Sequence, residues 1–101
     1  MTHNEIKFIQ SLQQKKFRRE YGLFIAEGGK IVNELIHSPI KVNKIIGIAS
    51  YLSNAQIPPN IETIEVSDKE LQRMSGLITP NEVLALCEIP VSKLHVPSLT
   101  N

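Results

Sequence analysis

The segment 23-LFIAEGGKIVNELI-36 places an apolar run, a glycine-containing turn and an amphipathic pattern in direct succession. The run over residues 23–26 is typical of a buried strand, and Glu27-Gly28-Gly29 is typical of a tight turn. Apolar residues then recur at helical spacing as far as Ser38-Pro39, where proline disfavours helical backbone. The segment therefore predicts a strand followed by a helix, which is the repeating unit of α/β proteins.

The same alternation of strands and helices extends to both sides of this segment. The patterns predict a helix over residues 4–18 capped by Asn4, strands over 42–49, 61–66 and 83–87, and a helical turn over 51–55 capped by Ser50. Ser67 and Glu70 have the spacing of a capping box, which predicts that another short helix begins there. Together these elements predict a three-layer α/β/α sandwich with a four-stranded, mostly parallel sheet.

Length and composition limit the classes of protein to which the chain can belong. It has 101 residues, of which 42% are hydrophobic and 21% charged, and this is typical of one globular domain. Cys87 is the only cysteine, so we expect no internal disulfide and a reducing, cytoplasmic location. No apolar run approaches the roughly 18 residues of a membrane span, so we expect no membrane partner.

The charges are divided unevenly along the chain. The net charge is +1, but residues 1–44 hold eight basic and four acidic residues (8 − 4 = +4), whereas residues 45–101 hold three basic and six acidic ones (3 − 6 = −3). Within the first 19 residues, a single acidic residue faces five cations, namely Lys7, Lys15, Lys16, Arg18 and Arg19. Clustered cations with long side chains are what a polyanion backbone requires, so the segment indicates a nucleic-acid-binding face.

No residue pattern indicates catalysis by the chain itself. The three histidines lack metal-ligand spacing, and Glu27-Gly28-Gly29 matches neither a dinucleotide-binding nor a phosphate-loop motif. Cys87 lies in an apolar run, which is typical of an inert buried thiol. The residues alone therefore indicate a small α/β domain with a nucleic-acid-binding face and no more. Two alternatives stay open beside any reading as part of an enzyme: a free-standing RNA-binding module, and a protein-interaction module without RNA contact.

Several short motifs together resemble the start of SpoU/TrmH-class RNA 2′-O-ribose methyltransferases. They include Asn4-Glu5-Ile6-Lys7, Lys15-Lys16-Phe17-Arg18, residues 22–28 (GLFIAEG), and Thr79-Pro80 followed by the apolar residues 83–86 and Pro90. The order and spacing of these motifs carry the resemblance, which covers residues 4–90.

The resemblance implies an organisation in which residues 1–90 are the RNA substrate-binding domain and residues 91–101 a linker toward a missing catalytic domain. It implies a fold similar to that of ribosomal proteins that bind kinked RNA, with rRNA or tRNA as the partner. The fragment itself would hold no cofactor and catalyse nothing. The parent enzyme would use S-adenosylmethionine and dimerise through its catalytic domain.

The residues that we expect at the RNA face are the five cations of the N-terminal segment together with three residues around the glycine turn. The turn residues are Glu27 and Gly28, which would shape the backbone, and Lys30, which would reach the RNA. The family usually has Gln-Gly where this chain has Asn81-Glu82. Because Glu82 adds a negative charge and the glycine is lost, we assign no RNA contact to that loop.

Overall fold

The structure, a computed structural model, describes residues 2–77 and 81–90. The helices are α1 (His3–Ser11), α2 (Lys15–Tyr21), α3 (Gly29–Ile36), α4 (Ala49–Asn54) and α5 (Asp68–Met74). The strands are β1 (Leu23–Glu27), β2 (Val42–Gly47), β3 (Glu62–Glu65) and β4 (Val83–Glu88). The predicted linker over residues 91–101 and the motif Thr79-Pro80 lie outside the described residues.

The four strands form one mixed sheet in the order β1-β4-β2-β3. Strand β2 pairs in parallel with β3, whereas β4 runs antiparallel to both β1 and β2. The α/β class and the four strands are confirmed, but the expectation of a mostly parallel sheet is wrong.

The place where α5 ends explains the direction of β4. This helix has seven residues, which corresponds to about 10 Å. It begins where β3 ends, and Gly76 just after it donates a hydrogen bond to Glu27 at the end of β1. The chain therefore stays at the same end of the sheet, and the next strand must run in the opposite direction. We call this end, where β1, β2 and β3 finish and β4 begins, the turn end.

The sheet has a hydrophobic core on each face, so the three layers are as predicted. On one face, α1 and α5 pack their buried side chains against Ile46 and Leu84. On the other face, Val32 of α3 and Leu52 of α4 pack against Ile45 and Val83. Strands β2 and β4 are the interior strands, which is why both bury apolar residues at consecutive positions, at 45–46 in β2 and at 83–87 in β4.

The predicted helix over residues 4–18 is two helices separated by a turn. Leu12 forms the C-cap of α1 and keeps its side chain in the core, where it is 1% exposed. Gln14 then has extended backbone and precedes α2. The Gln13 amide donates to the Met74 carbonyl at 3.0 Å, which anchors the turn to α5. Helical periodicity alone does not predict such a break, because the half-buried residues of α2 are arranged around the axis of a second helix.

Two capping boxes begin helices on the same face of the sheet. In α5, Ser67 accepts from the Glu70 N–H at 3.2 Å and donates its own N–H to the Glu70 carboxylate at 3.0 Å, as predicted. In α1, the cap is Thr2 rather than the predicted Asn4, with Glu5 as the reciprocal partner. The predicted Ser50 cap is also wrong, because α4 begins after Ile48 without a side-chain cap.

Candidate nucleic-acid interface

The solvent face of α2 carries three of the five predicted cations. At about 100° per residue, Lys15, Lys16 and Arg19 lie within one arc of the helix, and all three are exposed. The opposite side of α2 is formed by Phe17, Arg18 and Tyr21. These three exposed cations, which we call the α2 patch, are therefore directed toward solvent together.

Arg18 has a structural role that the sequence did not reveal. Its guanidinium Nη1 donates to the carbonyl oxygens of Leu12 at 2.9 Å and Gln13 at 2.8 Å. These carbonyls end α1 and have no partner within that helix, so the guanidinium satisfies them. Arg18 thus holds the turn between α1 and α2, and it differs in this respect from the cations of the α2 patch.

None of the five predicted cations forms an ion pair with a carboxylate among residues 2–77 and 81–90. Lys7 is exposed on α1, on the side away from the buried Ile6 and Ile9. Lys15 and Lys16 also occupy the first turn of α2, which holds no acidic residue. Positive charge is unfavourable at that end of a helix, because the backbone dipole is positive there. The position of these two lysines lowers the stability of α2 and concentrates positive electrostatic potential at its start.

An aromatic group supports the inner side of α2. The Phe17 and Tyr21 rings are stacked with centroids 6.4 Å apart, and the Phe8 ring meets Tyr21 edge-on at 5.0 Å. The Lys16 ammonium lies 4.9 Å from the Phe17 centroid, a geometry that is typical of a cation–π contact. Phe17 is half-buried, whereas Tyr21 remains 47% exposed. Of the two, Tyr21 presents a ring that a base could contact.

The Glu27-Gly28-Gly29 turn lies at the turn end of the sheet and has little space for side chains. Gly28 has a φ of 115°, and a Cβ there would lie 3.5 Å from the Asn81 side-chain nitrogen. A Cβ at Gly29 would lie 3.2 Å from the Tyr51 ring. The first glycine is needed for its backbone angle, and the second lets an aromatic ring approach the backbone closely.

Glu27 directs its carboxylate away from solvent into the segment that follows α5. The carboxylate accepts from the Gly76 N–H at 2.9 Å and from the Ser75 hydroxyl. Lys30, one turn along, is exposed on the first turn of α3. The predicted turn residues are thus together, with Glu27 and Gly28 determining backbone shape and Lys30 available to a ligand.

Two large apolar side chains near this turn are exposed, and the sequence analysis did not single them out. Ile31 is 49% exposed on α3, and Leu77 is 48% exposed beside Gly76. Ile31 is one of the apolar residues whose helical spacing predicted α3. The signal that could have identified it is its helical angle, because at about 100° per residue Ile31 lies at one edge of the apolar arc of α3, whereas Val32 in the same turn is fully buried.

Other candidate groups offer no chemistry among the described residues. Cys87 is fully buried, and desolvation raises the pKa of its thiol to about 11, so the thiol is protonated and inert at neutral pH. Within residues 2–77 and 81–90, no group of three metal-ligating side chains is close enough to hold an ion. In the same ranges, no helix is long and apolar enough to cross a membrane.

Known proteins are similar to this chain in fold and in sequence. Residues 3–85 match the family described as MRM3-like substrate binding domain. The 23S rRNA (guanosine(2553)-2′-O)-methyltransferase RlmP of Bacillus subtilis (strain 168) is 27% identical over 96 residues, which are 91% of this chain and 37% of that protein. The structure of a TrmH-family protein from Porphyromonas gingivalis superposes with a TM-score of 0.80 at 28% identity, covering 90% of this chain and 36% of that one.

A third similar protein supports the fold alone, because its sequence identity is low. It is an AdoMet-bound rRNA methyltransferase from Sinorhizobium meliloti, with a TM-score of 0.71 at 24% identity over 89% of this chain and 35% of that one. The chain thus spans little more than a third of the length of these relatives. The resemblance to SpoU/TrmH-class RNA methyltransferases is confirmed, and the chain belongs to the family of MRM3-like substrate-binding domains.

Proposed function

We propose that the chain recognises RNA for a SpoU-class rRNA 2′-O-ribose methyltransferase. Membership of a substrate-binding domain family supports this, as does the name of the Bacillus relative, which acts on 23S rRNA. The observation that carries the proposal is the α2 patch, whose exposed cations have no carboxylate partner among the described residues. Three exposed cations outweigh the exposed Glu20 of the same helix, so this face attracts a polyanion backbone, which releases its counterions on binding.

The predicted contact residues divide into two roles. Lys15, Lys16 and Arg19 would contact phosphates directly, and Lys7 and Lys30 would extend the contact on either side. Arg18 would act mainly by holding α2 in place, because its Nη1 is used within the chain. Glu27 and Gly28 would fix the turn from which Lys30 projects.

The properties of a whole methyltransferase belong to the same proposal. The parent protein would methylate a ribose of rRNA or tRNA, take its methyl group from S-adenosylmethionine, and dimerise through its catalytic domain. Residues 91–101 would link the two domains. The single buried thiol supports a cytoplasmic location.

Neither the polar cavity between α3 and α4 nor the apolar cleft beside Phe8, both in the described part of the chain, fits the cofactor. S-adenosylmethionine carries a carboxylate, which needs a cation or several N–H donors, and an adenosine group, which needs an enclosed apolar site. The polar cavity between α3 and α4 is lined by Glu82 and by no cation among the described residues. The apolar cleft beside Phe8 measures only about 220 Å³, which is below the roughly 300 Å³ of a typical ligand site.

The salt dependence of RNA binding tests the proposal. A labelled RNA hairpin with a single-stranded loop would be titrated with the chain by fluorescence anisotropy, between about 50 and 200 mM KCl. Four to six phosphate contacts predict a log–log slope of roughly −3 to −4. Absence of binding, or a slope near zero, would contradict the proposal and favour a protein-interaction module. A free-standing RNA-binding module would give the same slope but have no methyltransferase sequence after Asn101.

A further inference from the structure

A polar cavity opens between α3 and α4, on the face of the sheet opposite α1 and α5. Its volume is about 450 Å³, within the roughly 300–1,000 Å³ of typical ligand sites. The side chains that define its chemistry are those of Asn33, Tyr51, Asn54, Gln56 and Glu82. The sequence analysis singled out none of these residues as a contact residue, and it assigned no RNA contact to the loop that holds Glu82. The position of Glu82 in the cavity lining is the reason to revise that assignment.

The aromatic wall of the cavity joins it directly to the glycine turn. The Tyr51 ring lies against Gly29, where a Cβ would be only 3.2 Å from the ring. Burial raises the pKa of the Tyr51 phenol, and the nearby Glu82 carboxylate raises it further. The phenol therefore remains a neutral hydrogen-bonding group beside the carboxylate, and the ring is held by the backbone of the turn.

The polar groups of the cavity suit a base rather than a phosphate. Glu82 supplies a negative charge, and no cation is among the described lining residues, so a phosphate would be repelled. The side-chain amide of Asn33 has no hydrogen-bond partner in the described part of the chain. Asn54 uses its Nδ2 to bond the Ser50 carbonyl at 2.9 Å, which leaves its oxygen as an acceptor.

The carboxylate also distinguishes among the bases. Guanine presents two adjacent N–H donors on its Watson–Crick edge, at N1 and N2, which a carboxylate can accept together. Adenine, cytosine and uracil do not offer that pair of donors. Lys30 lies next to Gly29 and is exposed, so it is placed to contact the backbone of a nucleotide whose base enters the cavity.

We propose that the cavity between α3 and α4 binds one unpaired guanine of the RNA, stacked on Tyr51 and held through its Watson–Crick edge by Glu82. This proposal rests on the proposed function, because the guanine would belong to the RNA that the α2 patch holds. The carboxylate accepts from N1–H and N2–H, while the amides of Asn33 and Gln56 are available to O6 and N7. The site would add base selectivity to a face that otherwise binds any RNA.

Guanosine monophosphate tests the cavity without requiring an RNA complex. Titration of the ¹⁵N-labelled chain with GMP should shift the side-chain amide signals of Asn33, Asn54 and Gln56, with a Kd on the order of 1–10 mM. AMP carries the same phosphate, so the difference between the two nucleotides reports the base. We expect AMP to bind about tenfold more weakly.

The variant Glu82→Gln tests what the carboxylate contributes to GMP binding. Its matched control is Glu34→Gln, because Glu34 is exposed on α3 outside the cavity. We expect Glu82→Gln to reduce GMP affinity to about that of AMP, and Glu34→Gln to change nothing. Equal shifts from GMP and AMP, or shifts confined to lysine-rich α2, would overturn the cavity proposal.

Binding of RNA hairpins distinguishes a failure of the cavity proposal from a failure of the proposed function. Hairpins that differ only in having G, A, C or U at one loop position should bind with a preference for G that Glu82→Gln abolishes. If all four bind equally with steep salt dependence, the cavity proposal fails and the proposed function stands. If no hairpin binds but GMP still shifts the cavity amides, the proposed function fails and the cavity remains a guanine site.

Discussion

The carboxylate of Glu27 accepts a hydrogen bond from the backbone N–H of Gly76 at 2.9 Å, across 49 positions of sequence. This bond joins the end of β1 to the segment that leaves α5, and the Ser75 hydroxyl donates to the same carboxylate. A negative charge at a face that should bind RNA would normally weaken binding. Here the charge is used within the protein to fix the turn end of the sheet.

Replacing Glu27 by alanine should lower both stability and RNA affinity. The loss of hydrogen bonds to a half-buried carboxylate predicts a decrease of about 1–2 kcal/mol in the free energy of unfolding, measured by urea denaturation. RNA affinity should decrease although a negative charge is removed, because the turn carrying Lys30 would lose its support. Glu34→Ala is the matched control, since Glu34 is exposed on α3, and it should leave stability unchanged. An increase in RNA affinity with Glu27→Ala would show that its charge matters more than its position.

The two glycines of the turn should respond differently to alanine. Gly28 has a φ of 115°, which L-residues rarely adopt, so Gly28→Ala should destabilise the chain by about 1–3 kcal/mol. Gly29 is the first residue of α3 and has helical backbone, where alanine gains up to about 1 kcal/mol because it lowers the conformational entropy of the unfolded chain. This gain should largely offset the small displacement of the Tyr51 ring, and Gly29→Ala should be nearly neutral. Thermal melts of both variants test this difference. Equal losses of melting temperature in the two variants would refute it.

The capping box of α5 predicts a loss of stability in acid. The hydrogen bond from the Ser67 N–H holds the pKa of Glu70 below its usual 4.5. A carboxyl group whose pKa is lower in the folded state stabilises the fold above about pH 4.5, and this stabilisation is lost as pH falls through the folded pKa. Melting temperatures between about pH 5 and pH 3 should therefore decline less steeply for Glu70→Gln than for the wild type. Glu65→Gln, which alters an exposed carboxylate on β3, should retain the wild-type decline.

The sequence predicted the elements of the fold better than their connection. The interior strands β2 and β4 and the capping box at Ser67 follow from local patterns of apolar and capping residues. The direction of β4 does not follow from such patterns, because it depends on where the chain leaves the short helix α5. The break between α1 and α2 was also missed, because Gln13 and Arg18 end α1 through contacts with α5 and with the turn itself.

The candidate site was predicted in part for a similar reason. Charge clustering identified the exposed cations of α2, since long charged side chains are rarely buried. It could not show that Arg18 turns inward, because that depends on the broken helix. The cavity beside Tyr51 is formed by residues from α3, α4 and the start of β4, and nothing in a linear pattern brings those residues together.

The measurement that tests the RNA-binding face most directly compares two double variants of equal charge change. Lys15→Ala/Lys16→Ala removes two cations of the α2 patch, whereas Lys41→Ala/Lys69→Ala removes two exposed lysines elsewhere on the surface. With hairpin RNA at low salt, the first variant should bind about tenfold more weakly, and its log–log salt slope should be shallower by about 1.4. The second should bind like the wild type. Neither variant should melt below the wild type, because Lys15 and Lys16 lie at an unfavourable helix end and the ion pair that Lys41 forms with Glu88 is exposed to solvent. Equal losses of affinity in the two variants would show that net charge alone attracts the RNA and that α2 is not its binding face.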